Sequence, residues 1–95
     1  MPKAYWIARV DVHDPVAYKL YAEATAPAFA RFHAKILARG GKTDVLEGQA
    51  RARNVVIEFA SMEEARACYD SPEYTKAKAF RSGASTGEII LVEGV

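Results

Sequence analysis

Two runs limit what this chain can become. Residues 55–59 read Val-Val-Ile-Glu-Phe and residues 89–92 read Ile-Ile-Leu-Val. Both have strand length and are rich in β-branched side chains. Successive side chains of a strand point to opposite faces, so a sheet with one wet face alternates apolar with polar. These runs do not alternate, and Trp6, Ile7 and Ala8 are also consecutive. Both faces of the sheet that holds them must be covered.

The rest of the chain supplies cover for only one face. Residues 4–12, aromatic and β-branched, form a first strand. Asp14 then caps a helix that has Pro15 at its first position. Val16, Leu20 and Ala24, widened by Ala17 and Tyr21, define its expected buried stripe. Pro27 breaks the pattern, so a kink or restart near Ala26 precedes a second helical piece ending about Phe32. Residues 36–39 and 42–47 read as two halves of a strand or two short strands, with Gly40-Gly41 as a bulge or bend between them. Residues 53–60 form the clearest strand. Ser61 and Glu64 fit a capping box for a helix to about Tyr69. Ser71-Pro72 repeats the Asp14-Pro15 pattern and splits this second helix, and Gly83 closes it. Residues 88–94 are the last strand.

The order is β-α-β-β-α-β, the ferredoxin-like arrangement. Right-handed crossovers then give an antiparallel sheet ordered 4-1-3-2 with its helices on one face. A chain of 95 residues fits one domain spanning 1–95, and folding at this size buries about 60–70% of the unfolded surface. Nothing in the chain remains to cover the second face, so a second copy is expected there.

Charge and cysteine content exclude several functions. Lys plus Arg is 13 and Asp plus Glu is 12, without the basic excess of a nucleic-acid binder. No apolar run is long enough to span a membrane, and no signal-peptide core precedes the first strand. A cytoplasmic protein is expected. The single cysteine, Cys68, excludes an intramolecular disulfide and reads as a small packed side chain.

The segments YWIARVDV, ARGG with LEG, RNVVIEF, CYDSPEY and the terminal VEG together resemble a bacterial domain-of-unknown-function family within the dimeric α/β-barrel superfamily. The resemblance spans nearly the whole chain. It implies short homodimers whose sheets face each other and brings no established activity. The wider superfamily includes cofactor-free oxygenases, isomerases and haem-dependent enzymes, but their catalytic residues do not map onto positions here. His33 stands where the family pattern suggests glycine at a helix end, and it reads as a left-handed C-cap substitute.

No residue set identifies a reaction. His13 and His33 lack the partner spacing of a metal site, and Gly40-Gly41 lacks the turn and further glycines of a phosphate loop. No metal or tightly bound cofactor is expected. The sharper pattern is polar residues inside apolar strands. With Val55, Ile57 and Phe59 facing the helices, Glu58 falls on the second face. There Arg9 and Tyr5 can share its surroundings, with Arg39 joining from the second strand. An arginine partner for Glu58, Arg9 or Arg39 in the same chain or across the dimer, follows from the cost of burying a bare carboxylate. Tyr74, one turn into a helix, is the fifth ligand-binding candidate. Two functions lead: a small homodimer that binds or transforms a small organic molecule in a pocket beside the sheet, or a non-catalytic dimerisation module; a haem or metal protein using His33 or His13 is the third, to be removed by absence of colour and metal in the purified protein. A convergent polar cavity distinguishes the first from the second.

Overall fold

The computed structural model describes residues 2–95. The strands are β1 (Ala4–Val12), β2 (Lys35–Arg39), β3 (Arg53–Phe59) and β4 (Ser85–Glu93). The helices are α1 (Pro15–Ala24), α2 (Ala26–Arg31), α3 (Met62–Asp70) and α4 (Pro72–Ala79). The antiparallel sheet has the order β2-β3-β1-β4, the expected ferredoxin-like topology.

Local chemistry sets the helix boundaries. Asp14 accepts from the Val16 and Ala17 amides, and Ser61 accepts from that of Glu64. Pro27 restarts the first helix after Thr25. His33 adopts φ 54° at the end of α2, the left-handed cap expected of it. The Asp70–Thr75 stretch, which carries several potentially reactive groups, is a helix junction. Ser71 is 4% exposed; its hydroxyl donates to the Cys68 carbonyl at 2.7 Å and accepts from the Tyr74 amide at 3.2 Å. It closes α3 and opens α4. Ser71→Ala is therefore expected to lower stability by about 1–2 kcal/mol, read as a shifted urea midpoint.

Two expectations need correction. Residues 42–47 form no strand; β2 ends at Arg39, and the chain runs exposed from Gly40 to Ala50. Gly40 takes φ 66° and turns the backbone out of the sheet, so the ladder does not resume. The buried stripe of α1 is Tyr18, Tyr21 and, at its end, Thr25, while Val16 and Leu20 are exposed. At about 100° per residue, Val16 and Leu20 lie nearly opposite that stripe. Two tyrosines bury more total area than a valine and a leucine, the Tyr21 hydroxyl stays hydrogen-bonded inside, and the helix turns its aromatic side inward.

The core lies between the helices and one sheet face. Ala4, Trp6, Ile57 and Phe59 meet Ala65, Cys68, Tyr74 and Ala77 there. The Trp6 ring lies 5.1–5.9 Å from those of Phe29, Phe59, Tyr69 and Tyr74, and its Nε1 donates to the Ala65 carbonyl at 3.0 Å. Cys68 is fully buried; burial first, then the Glu73 charge, pushes its thiol up to about 12, so it stays protonated and inert.

Candidate functional site

The inward sheet face is unevenly filled. Cross-strand register sets Ile36, Ile57, Trp6 and Leu91 in one row. The next row is Arg39, Val55, Ala8 and Ile89, and beyond it Arg53, Val10 and Gly87 align. Large side chains fill the Trp6 end. Along β1 and the facing part of β4 the floor is low, with Ala8, Val10 and Gly87 between Val55 and Ile89. The result is a cavity of about 310 Å³ roofed by Tyr18, Tyr21, Ala22 and Thr25. No larger side chain fits at Gly87, because a Cβ there would fall on the Arg9 carbonyl oxygen.

Three arginines border this cavity: Arg39, Arg53 and Arg81. The Arg53 guanidinium lies over the Tyr18 ring at 5.3 Å and that of Arg81 over Tyr21 at 5.2 Å, within cation–π range. Tyr18 and Tyr21 are themselves 5.2 Å apart, centroid to centroid. Gly40 makes the Arg53 position possible, since a Cβ at Gly40 would meet the guanidinium. Among the described residues, two buried side-chain nitrogens have no hydrogen-bond partner: Nε of Arg53 and Nε of Arg81. Burial works against the Arg81 charge, but the neighbouring Tyr74 and Tyr21 hydroxyls more than offset it and hold its pKa above the ordinary value. The Tyr21 and Tyr74 hydroxyls share a 2.7 Å hydrogen bond. Burial, then Tyr74, raises the Tyr21 pKa well above the usual phenol value, so Tyr21 is a neutral donor or acceptor.

Glu88 borders the cavity through its strand, but its register opposite Arg9 puts its side chain on the outward face. Arg51 binds both Glu88 oxygens there at 3.1 and 2.6 Å, and Asp11 at 2.6 Å. The Ala52 amide and Arg51 hold Asp11 below the usual carboxylate range, and Arg51 does the same for Glu88. This network ties the end of the β2–β3 connection to the sheet, and among the described residues no carboxylate side chain pairs with the cavity arginines.

The sequence-derived candidates divide between the two sheet faces. Tyr5, Arg9 and Glu58 lie on the outward face. Within the chain, Glu58 bonds to Lys3 Nζ at 3.2 Å and the Tyr5 hydroxyl at 3.3 Å rather than to Arg9 or Arg39. Arg9 sits four cross-strand pairs along from Glu58, opposite Asn54. Arg39 is turned inward by a bulge between Ile36 and Ala38, which reverses the parity of β2 and brings Arg39 opposite Val55. Tyr74 is fully buried behind Tyr21. Sequence reasoning missed Arg53, Arg81, Tyr18 and Tyr21. Arg53 could have been found, because it extends the inward set 55, 57, 59 by one step of two.

A ferredoxin-like sheet with helices on one face and a polar-walled cavity between them defines a class of small α+β proteins. The chain belongs to the family described as Domain of unknown function (DUF1330), which matches residues 3–95. It is similar to a protein of unknown function from Rhodopseudomonas palustris, at 18% identity and a TM-score of 0.80, covering 99% of this chain and 83% of that one. A dimeric protein of unknown function and ferredoxin-like fold from Bacteroides fragilis matches at 14% identity and 0.64, over 96% and 95% of the two chains. SnoaB from Streptomyces nogalater, a cofactor-independent oxygenase, matches at 18% and 0.61, over 97% and 92%. At these identities the likeness is one of fold. No curated protein matches the sequence. Among the described residues no helix is long and apolar enough to cross a membrane.

Proposed function

We propose that the protein is a homodimer that binds a small organic molecule in the cavity between its sheet and helices, without a tightly bound cofactor. The cavity itself carries this reading. Its volume of about 310 Å³ falls at the lower end for small-molecule sites, and it joins an apolar lining to a few convergent polar groups. Arg39 and Tyr21 face the ligand, and Tyr74 orients Tyr21. Tyr5, Arg9 and Glu58 belong instead to the face covered by a second copy. The Bacteroides protein of the same fold is a dimer and the Streptomyces protein works without a cofactor; both support the reading. A non-catalytic dimerisation module would need no such void.

The chain has one tryptophan, Trp6, and it lines the cavity. Small aromatic compounds are therefore expected to change its fluorescence saturably. Ala8→Phe, which fills the floor, is expected to stay folded by circular dichroism and lose the response. A response that survives in Ala8→Phe would place binding elsewhere and defeat the proposal.

A further inference from the structure

We infer that the cavity ligand is a small carboxylate with an aromatic or branched apolar body, bound with its carboxylate against Arg53 and Arg81. This rests on the cavity being the binding site. It adds the ligand's chemical class and its orientation.

The first support is the pair of unsatisfied donors. A buried polar group with no partner costs about 1–3 kcal/mol, and a charged one costs more. Arg53 and Arg81 each leave a buried Nε without an acceptor. Nε–H is one of the two donors of the side-on guanidinium fork, the geometry that receives both oxygens of a carboxylate. Arginine cannot escape the cost by losing its proton. A carboxylate brought into the cavity would supply the acceptor that these two nitrogens lack. Asp11, Glu88 and Glu58 are turned to the outward face and bonded there to Arg51, Lys3 and Tyr5.

The second support is the polarity of the cavity along the strands. Arg53 lies in the row of Val10 and Gly87, and Arg39 in the row beside it. Arg81 stands in the turn that leads through Ala84 into β4, next to that same end. The other end is made by Trp6, Phe29, Ile57 and Tyr69. A neutral apolar ligand would leave the arginines unmet. A compact polyanion would put its second charge among the aromatic rings. An apolar carboxylate suits both ends.

The test titrates the full-length protein with benzoate and with benzamide, its neutral isostere, following Trp6 fluorescence. Benzoate is expected to bind at least about tenfold more tightly, a difference of about 1.4 kcal/mol. Arg53→Met and Arg81→Met should each remove most of that preference. Arg53→Lys and Arg81→Lys keep the charge but not the fork, and should keep only part of it; they also serve if a methionine variant does not fold. Equal binding of benzamide and benzoate, abolished for both by Ala8→Phe, would overturn the carboxylate inference and leave the cavity reading intact. No saturable response to either compound would overturn both.

Discussion

Trp6→Ala is expected to cost about 3–5 kcal/mol of folding stability, a large part of the roughly 5–15 kcal/mol typical of a whole domain. Trp6 is 2% exposed and meets four aromatic rings within 6 Å. Those rings come from α2, α3, α4 and β3, so one side chain joins most of the inner layer. Its indole N–H also anchors α3 through the Ala65 carbonyl. The deletion removes the ring, that bond and the wall between core and cavity together. Circular dichroism against urea should show a lower midpoint with an unchanged slope. Trp6→Phe keeps an aromatic body and loses the N–H bond, so a smaller loss, on the order of 1–3 kcal/mol, is expected. A Trp6→Ala loss below that of Trp6→Phe would mean that the aromatic cluster is not the core.

The framework was legible because each element carries redundant local cues. Asp14, Ser61 and Ser71 all cap where their chemistry predicts, although the Glu64 side chain does not complete the box. The parity of β3 put Val55, Ile57 and Phe59 inside and Glu58 outside. What failed depended on single-residue departures from period. One bulge in β2 carried Arg39 from one face to the other, and no residue type marks that bulge in advance. The α1 stripe failed because Val16 and Leu20 look more apolar than tyrosine, although the tyrosine side, with its larger total area, turns inward. Arg81 lies in a turn, where neither strand nor helix periodicity assigns a direction. The candidate site was therefore only half legible: Arg39 and Tyr74 were named, but the paired cations beside Tyr18 and Tyr21 arise from tertiary placement.

The outward sheet face yields the second large effect. Its central row is Val56, Ile7 and Ile90 across three strands. Glu58, Tyr5 and Val92 lie on one side of it, and Asn54, Arg9 and Glu88 on the other. Ile90 is 55% exposed and Val92 40% in the single chain. An apolar row flanked by polar rows is the anatomy of an interface core with its rim. A second copy covering it would bury on the order of 800 Å² per partner. Ile7→Glu puts a carboxylate at the centre of that row, and a two-fold interface receives it twice. An unpaired buried charge costs several kcal/mol, so dimer affinity is expected to fall by about a hundredfold or more. Light scattering should then give the monomer mass at micromolar concentration, with the wild-type chain remaining dimeric. Without a dimer, Ile7→Glu would sit on a partly exposed strand face and change the mass of nothing. A wild-type monomer, or an Ile7→Glu dimer as tight as wild type, would remove the second copy from this face.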